Sequence, residues 1–266
     1  MEKYDVKFKK KFGQNFLKDI NIVKRIVDVS AVDKDSLVIE VGPGGGVMTK
    51  ELASRTKNVL AYEIDTDLEE ELYKRLDGFD NIDILFQDFL TSDLVSDVSN
   101  YSYDKLFFVS NVPYYITTPI LLKIIESGLN FNKIVIMVQK EVGDRFTTLP
   151  GSREYGSITV LLNYFYDIKK EFFVSRKQFV PEPNVDSLIV SFTPRKEKLE
   201  LNDFKLFEKL IRDSFQFKRK TLKNNLKNYD LKKIEEVLNE YGYDLTVRAE
   251  MLSTEIFVKM SNALRK

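Results

Sequence analysis

A chain of 266 residues, with 43% apolar and 31% charged side chains, is long enough for one large α/β domain and a small second one. It contains neither cysteine nor histidine, which excludes disulfide scaffolds, Cys/His zinc sites, Ser-His-Asp triads and enzymes with a cysteine nucleophile, the RNA cytosine-C5 methyltransferases among them. The net charge is zero, yet residues 195–266 carry 17 basic and 12 acidic residues and the remainder carries 24 and 29, an asymmetry that indicates a polyanionic partner.

Short apolar runs alternate with helical patterns along most of the chain. The predicted strands are Leu37–Val41, Asn58–Ile64, Ile82–Phe86, Lys105–Ser110, Lys133–Gln139, Ile168–Val174 and Val185–Phe192. The predicted helices among them are Thr49–Arg55, Asp67–Leu76, Thr118–Ser127 and Gly156–Phe165. Strands that alternate with helices predict a doubly wound α/β sheet.

Pro194 marks a predicted domain boundary, because only helical patterns follow it. They are Asp203–Phe215, Arg219–Asn225, Leu231–Tyr241 and Thr254–Leu264. We predict a large α/β domain over residues 1–194 and a small all-α domain over residues 195–266.

Apolar runs such as Ile134–Val138 are too short to cross a bilayer, and the basic N-terminus lacks the apolar stretch of a secretory signal. We therefore expect a cytoplasmic protein, monomeric and without a membrane partner.

A glycine-rich turn follows the first of these strands, in Glu40-Val-Gly42-Pro-Gly44-Gly-Gly46. Glycines at this place let the backbone approach a ligand closely before the next helix begins. The spacing differs from the G-x-G-x-x-G fingerprint of dinucleotide-binding proteins. It resembles the first motif of class I methyltransferases, which predicts that Gly42 and Gly44 contact S-adenosylmethionine.

Acidic residues follow the next two strands. Glu63 ends the second strand and can accept hydrogen bonds from both ribose hydroxyls of a nucleoside; Asp65, two residues later, is an alternative. Asp88 follows the third strand, where the acid of class I methyltransferases accepts a hydrogen bond from the cofactor's adenine amine. A helix N-cap or a loop acid is the alternative role for Asp88.

The motif Asn111-Val112-Pro113-Tyr114 comes directly after the fourth strand. An exocyclic adenine amine is a poor nucleophile, because its lone pair is delocalised into the ring. The Asn111 side-chain oxygen and a backbone carbonyl held by Pro113 can accept both N–H bonds and direct the lone pair at a methyl donor. Tyr114 can stack on the base. Positioning then supplies most of the catalysis, with no metal and no general base.

Taken together, the motifs resemble those of the small-subunit ribosomal RNA adenine dimethyltransferases, whose loss confers kasugamycin resistance in bacteria. The match covers nearly the whole chain, with its motifs in order. They are Lys11–Leu17, Glu40–Gly46, Glu63–Asp65, Asp88, Asn111–Tyr114, Val138–Val142, Phe179–Ser187 and Arg219–Asn225. Val112 stands where leucine is usual in this family, and Gly45 where a larger residue is common.

The resemblance implies a class I, Rossmann-like methyltransferase sheet of seven strands with its last strand antiparallel. It implies that Asn15 and Leu17 cover S-adenosylmethionine and that Phe179 forms a second aromatic wall for the target base, opposite Tyr114. A core phenylalanine is the alternative role for Phe179. The implied reaction is N6,N6-dimethylation of two adjacent adenosines in a hairpin loop near the 3′ end of 16S ribosomal RNA, in small-subunit biogenesis.

Two basic segments are candidates for contact with that RNA. The first is Lys7, Lys9, Lys10 and Lys11, and the second is Lys218, Arg219, Lys220, Lys223 and Lys227. A solvated tail and a charged helix face are the respective alternatives.

Two other functions remain open at this point. One is that of the macrolide-resistance methyltransferases, which modify one adenine of the large-subunit RNA. The other is that of a non-catalytic assembly factor with the same fold, although Glu63, Asp88 and Asn111–Tyr114 are all present.

Overall fold

Seven strands form one sheet in the computed structural model, which describes residues 16–197 and 199–265 of the chain. The strands in chain order are β1 (Phe16–Leu17), β2 (Ser36–Val41), β3 (Asn58–Tyr62), β4 (Ile82–Leu85), β5 (Lys105–Asn111), β6 (Lys133–Gln139), β7 (Tyr166–Val174), β8 (Phe179–Val180) and β9 (Ser187–Pro194). The sheet has the order β4-β3-β2-β5-β6-β9-β7, and β1 pairs with β8 in a separate antiparallel pair.

The central pairings are parallel, whereas β9 runs antiparallel to β6. This arrangement confirms the predicted seven-stranded sheet with an antiparallel last strand. Every residue of β2 is buried, and β5 and β6 are buried except at their first and last residues. Such continuous apolar runs are what a parallel sheet requires when helices cover both of its faces.

The helices mostly follow the predicted periodicity. They are α1 (Ile20–Ser30), α2 (Val47–Arg55), α3 (Glu69–Arg75), α4 (Leu94–Ser99), α5 (Thr117–Glu126), α6 (Lys140–Phe146), α7 (Ser157–Phe165), α8 (Phe204–Ser214), α9 (Leu222–Asn225), α10 (Leu231–Glu240) and α11 (Thr254–Arg265). The prediction of a helix over Arg219–Asn225 was wrong in its first half, because Arg219 and Lys220 lie in the turn that precedes α9.

Helix α1 was not predicted, although its boundaries have clear chemical causes. The Asp19 carboxylate caps its N-terminus by accepting a hydrogen bond from the Asn21 amide. Val23, Ile26 and Val27 occupy one face and are buried. The helix ends at Ala31, which adopts a left-handed conformation with φ of 59°.

The chain divides into two compact units. Among the described residues, the first comprises 16–143 and 169–193, and the second comprises 144–168, 194–197 and 199–265. The predicted boundary near Pro194 therefore matches one edge of the second unit, but that unit also includes α7, which the predicted domains place in the first. Among the described residues, no helix is both long and apolar enough to cross a membrane.

Each unit has its own core. In the first, the sheet packs against α1 and α2 through residues such as Val27, Leu52 and Val135. Gly143 lies against β9, where an added Cβ would come within 2.8 Å of the Leu188 side chain. In the second, the rings of Tyr155 and Phe257 both pack against Phe215.

Candidate active site

A cleft opens in the first unit at the carboxyl ends of β2, β3 and β5. Strands β2 and β5 are neighbours in the sheet although they are distant in sequence, so the chain reverses its winding direction between them. Ligands of doubly wound sheets bind at such a point. The cleft contains about 1040 Å³ of space between its atoms, part of it open solvent. Its described lining includes Leu17, Glu40, Gly42, Gly44, Tyr62, Glu63, Gln87, Phe89, Asn111, Pro113, Tyr114 and Tyr115.

A serine hydroxyl joins the two sides of this crevice. The last paired residues of β2 and β5 are Ile39 and Phe108, and beyond them the backbone ladder ends. The Ser110 hydroxyl donates a hydrogen bond to the Val41 carbonyl at 2.6 Å and accepts one from the Val41 amide at 3.4 Å. Asn111 and the glycine turn are therefore held on neighbouring strand ends.

The glycine turn lies at the base of the cleft. Gly42 and Gly44 have φ values of 74° and 54°, in the left-handed region that other residues rarely adopt. The Gly42 amide donates to the Tyr62 carbonyl at 2.8 Å, and a Cβ on Gly42 would lie 3.8 Å from the Pro113 ring. The turn and the Asn111–Tyr114 motif, separate in sequence, thus lie side by side.

Glu63 is 4% exposed and lines the cleft beside this turn. Its carboxylate accepts hydrogen bonds from the Gly44 amide at 3.2 Å and the Asp65 amide at 2.9 Å. Burial raises the pKa of Glu63, and these amide hydrogen bonds oppose the increase. Asp65, the alternative acid, is not among the described lining residues; its side chain caps the next turn by accepting from the Asp67 amide. The geometry therefore favours Glu63 over Asp65 as the ligand-facing carboxylate.

The Asn111–Tyr114 motif forms one wall of the cleft. Asn111 is the last residue of β5, and the Tyr114 hydroxyl forms a 2.7 Å hydrogen bond with the Ser187 hydroxyl of β9. Burial raises the pKa of Tyr114, and the Ser187 hydrogen bond opposes the increase. The Pro113 carbonyl accepts a hydrogen bond from the Ile116 amide at 3.1 Å. The Val112 carbonyl is consequently the candidate acceptor beside the Asn111 side chain.

Asp88 lies next to the cleft but is not among its described lining residues. Its Oδ1 accepts a hydrogen bond from the Leu90 amide at 2.9 Å, the turn-capping role given above as the alternative. The flanking residues Gln87 and Phe89 do line the cleft. The loop is held by Lys123 of α5, whose ammonium group donates to the Leu90 and Ser92 carbonyls at 3.0 and 2.5 Å.

Phe179 does not have the position that the resemblance implies. It is fully buried in a core cluster with Leu17 and Val23 and is not among the described lining residues. It pairs with Leu17, and Leu17 itself reaches the cleft. The second aromatic wall is therefore not formed by Phe179 in this structure, because β8 places the residue in the core. Asn15 and the lysines at 7, 9, 10 and 11 lie outside the described residues.

Several lining residues were not singled out from the sequence, Tyr115, Tyr62 and Glu40 among them. Tyr115 is 60% exposed at the cleft, and Tyr62 is buried with its hydroxyl donating to Asp97 at 2.9 Å. Glu40 is 1% exposed, and burial raises the pKa of its carboxyl to about 8, a shift that the charge of Glu63 reinforces and the Thr49 hydroxyl opposes. Glu40 begins the glycine motif, and its place before the turn was the available signal.

Comparisons with known proteins agree with this geometry. A family model described as "Ribosomal RNA adenine dimethylase" matches residues 5–266. The "Ribosomal RNA small subunit methyltransferase A" of Macrococcus caseolyticus is 40% identical over 275 residues, covering 100% of this chain and 93% of that protein. The protein of the same name from Streptococcus gordonii is 42% identical over 274 residues, covering 100% and 94%.

Two solved structures resemble the whole chain. A dimethyladenosine transferase from Plasmodium falciparum has a TM-score of 0.78 at 26% identity, covering 92% of this chain and 95% of that one. The 23S rRNA methyltransferase ErmE has a TM-score of 0.72 at 26% identity, covering 94% and 100%. Both units of the chain are therefore represented in proteins of known structure.

Proposed function

The chain belongs to the ribosomal RNA adenine dimethylase family, and we propose that it methylates N6 of two adjacent adenosines in a hairpin loop near the 3′ end of 16S ribosomal RNA. The products are N6,N6-dimethyladenosines, formed during biogenesis of the small ribosomal subunit. The observation that carries the proposal is the position of Asn111, at a strand end beside the glycine turn of the cleft. The names of relatives at 40% and 42% identity favour the small subunit over the large one.

The described cleft residues fit S-adenosylmethionine, the methyl donor that the family implies. Gly42 and Gly44 leave room for close approach, and Leu17 provides an apolar cover. Glu63 is a buried carboxylate that can accept from ribose hydroxyls, which supports its assignment. Asp88 as the acceptor for the cofactor's adenine amine, and Asn15 as a second covering residue, stay predictions.

The proposed mechanism depends on positioning. When bound, S-adenosylmethionine would supply an electrophilic methyl group on a sulfonium, with the neutral thioether as its leaving group. Asn111 and the Val112 carbonyl accept the two N6 hydrogens, which localises the lone pair on nitrogen and directs it across the cleft. Tyr114 supports the flat face of the base, its ring held by the Ser187 hydrogen bond. The displaced N6 proton leaves to water through the open side of the cleft.

A second methylation requires the monomethylated amine to bind again with its methyl group out of the way. Val112 and Pro113 are modest in size, so the wall beside the amine leaves space for one methyl group. A loop adenosine is also easily extruded, because unstacking an unpaired base costs only a few kcal/mol. These features support dimethylation as the outcome.

The second unit supplies the proposed RNA contact, through Lys218, Arg219, Lys220, Lys223 and Lys227. All five side chains are exposed, and within the described part of the chain none of them forms an ion pair. Cations of this kind are available to neutralise phosphates. We further propose that the protein acts as a monomer in the cytoplasm.

Labelled methyl transfer to small ribosomal subunits that lack the modification tests the function. We expect label in two adjacent adenosines of 16S RNA, and mass spectrometry should find N6,N6-dimethyladenosine there. Modified adenosines in large-subunit RNA would support the macrolide-resistance reading instead. Binding to subunits without any transfer would support the non-catalytic reading.

The cofactor assignment has its own test in Glu63→Ala. Removing an acceptor for the ribose hydroxyls should weaken S-adenosylmethionine binding by about 1.5–3 kcal/mol, the value of a hydrogen bond to a charged group. Isothermal titration calorimetry measures the change. Because Glu63 also accepts from the Gly44 amide, Glu63→Gln, which keeps one acceptor oxygen, is the matched variant and should lose less. Unchanged affinity in Glu63→Ala would remove this residue from the cofactor site.

A further inference from the structure

The turn between α8 and α9 presents an aromatic ring among cations. Residues 216–220 read Gln-Phe-Lys-Arg-Lys, and all five are exposed. Phe217 is 57% exposed, whereas Phe215, two residues earlier, packs against Tyr155 and Phe257 at ring-centre distances of 6.3 and 5.8 Å. The core of the second unit therefore uses Phe215 and leaves Phe217 in solvent, although exposing a phenylalanine side chain to water is unfavourable.

Hydrogen bonds hold this turn in one shape. The Phe217 carbonyl accepts from the Lys220 amide at 2.8 Å and from the Asn225 side chain at 3.4 Å. The same Asn225 amide group donates to the Ser214 carbonyl at 2.6 Å. On the far side, the Leu222 amide donates to the Val247 carbonyl at 2.9 Å. The Phe217 backbone is thus fixed before any partner arrives, which reduces the entropy lost on binding.

The combination indicates which partner the ring meets. Lys218, Arg219 and Lys220 follow Phe217 directly and suit a phosphate backbone. An aromatic ring stacks on any nucleobase whose face is open, whereas the bases of a duplex are already stacked on each other. We propose that Phe217 stacks on an unpaired nucleobase of the bound RNA, outside the cleft, while the adjacent cations contact its phosphates. This inference rests on the proposed function and adds a second point at which a base is bound.

The chain contains no tryptophan, so Phe217→Trp introduces the only indole and reports on this position. The complex of wild-type protein with unmodified small subunits then gives the background emission of the tryptophans in the ribosomal proteins, which is subtracted. Stacking on a base should quench the emission of the introduced indole in the complex. Emission that is unchanged, or that rises and shifts to the blue as it does on burial in an apolar protein surface, would overturn the proposal.

Affinity for the same subunits gives the second readout. Phe217→Leu keeps an apolar side chain but cannot stack, and it should weaken binding roughly tenfold, whereas Phe217→Trp should bind as the wild type does. The slope of log affinity against log salt should be unchanged in Phe217→Leu but shallower by about one in Lys218→Gln. Tyr73→Leu is the matched control, since Tyr73 is 55% exposed on the acidic helix α3 and should not matter.

Two results separate this inference from the proposed function. If Phe217→Leu binds as tightly as the wild type while the wild type methylates the subunits, only the stacking contact is wrong. If the wild type neither binds nor methylates the subunits, the proposed function is wrong and the inference falls with it. Unchanged S-adenosylmethionine binding in each variant establishes that the first unit is folded.

Discussion

At the scale of single residues, the cleft places the proposed cofactor-binding carboxylate and the proposed amine-orienting side chain on different strand ends. Glu63 is buried and already accepts two backbone amides, so it is a fixed acceptor. Asn111 ends β5, and the neighbouring Ser110 hydroxyl ties that strand end to Val41. The proposed orientation of the target amine therefore depends on Asn111, a side chain whose backbone is held in place.

Asn111→Ala should lower turnover far more than it lowers cofactor affinity. The lost acceptor acts on the target amine in the transition state, and such losses reduce kcat. Single-turnover methyl transfer and calorimetry with S-adenosylmethionine measure the two quantities separately. Near-normal turnover in the variant would rule out the amine-orienting role. Asn100→Ala, a helix-capping asparagine at the end of α4, is the control and should leave turnover unchanged.

Glu40 gives the free energy of unfolding a pH dependence. Its pKa of about 8 in the folded chain exceeds the ordinary value of 4.5, so between these values the folded state holds a proton that the unfolded chain has released. Stability should therefore fall as the pH rises through this interval, by about 1.4 kcal/mol per pH unit from this one group. The side chain of Glu40→Gln is neutral at every pH, so the unfolding free energy of this variant should not show that decline.

Urea unfolding of the cofactor-free protein at a series of pH values measures this effect. The difference in unfolding free energy between Glu40→Gln and wild type should widen in favour of the variant as the pH rises towards 8. Glu126→Gln replaces an exposed carboxyl on α5, and its unfolding free energy should change with pH as that of the wild type does. Parallel curves for Glu40→Gln as well would show that Glu40 is ionised in the folded state.

The roles of residues were predictable where a motif specifies them and less predictable where packing determines which way a side chain faces. The glycines follow from the turn that a strand-to-helix connection needs. The resemblance favoured Glu63 over Asp65, and the cleft-facing position of Glu63 supports that preference. Phe179 shows the limit of the sequence. Whether an aromatic residue before a proline-rich loop faces a cleft or the core depends on β8, a strand of two residues that no periodicity reveals.

At the scale of elements, α5 connects the two halves of the cleft. It begins directly after the Asn111–Tyr114 motif, and its Lys123 holds the loop after β4 through two carbonyls. The same ammonium group lies 5.5 Å from the centre of the Phe89 ring, and Phe89 lines the cleft. One helix thus fixes both the proposed wall for the target base and the loop beside the proposed cofactor site.

Lys123→Met should raise the KM for S-adenosylmethionine about tenfold while kcat at saturation changes little. The variant keeps the apolar stem but loses charge-assisted hydrogen bonds of about 1.5 kcal/mol, so the loop over Leu90–Ser92 is less ordered before the cofactor binds. Steady-state kinetics with varied cofactor provide the measurement. Lys133→Met is the matched control, because Lys133 donates to the Val29 carbonyl, which lies outside the described cleft lining. Equal effects of the two variants would mean a loss of general stability instead.

The parallel strands were predictable from their apolar runs, whereas the helices α1, α4 and α6 were missed. The five parallel strands were located within two residues of their observed ends, and four of them, β2, β3, β5 and β6, are largely buried. Helices α4 and α6 were missed because they are short, and α6 follows β6 with no intervening turn residue. Short helices are stabilised by tertiary packing, and a sequence does not display that packing.

At the scale of the whole molecule, the proposed RNA contact and the proposed active site lie in different units. The cleft and its described lining belong to the first unit, whereas the exposed cations of the turn before α9 belong to the second. A zero net charge therefore conceals a basic unit, whose attraction to polyanions should weaken steeply with salt.

A triple variant in which glutamate replaces Arg219, Lys220 and Lys223 should no longer bind the small subunit but should bind the cofactor as the wild type does. The change removes three cations and introduces three like charges against phosphate. Filter binding over a salt series and calorimetry with S-adenosylmethionine provide the two measurements. The matched variant reverses Lys205, Lys232 and Lys233, which lie in α8 and α10, and thus changes the net charge equally. Equal losses of subunit affinity in both variants would show that the cations of the turn contribute only to a general electrostatic attraction.

The place of β9 in the sheet imposes an order on the protein's own synthesis. Strand β9 lies between β6 and β7, yet it is the last of the strands to leave the translating ribosome. Until Pro194 has been added, the nascent chain exposes the edge of β6, with its apolar run Ile134–Val138, and β7 has no strand through which to join the sheet. Unpaired apolar edges attract other chains, so a product truncated before Ser187 is the form that should aggregate or recruit a chaperone. A protein proposed to finish ribosomes thus completes its own sheet only when a ribosome has translated nearly all of its first unit.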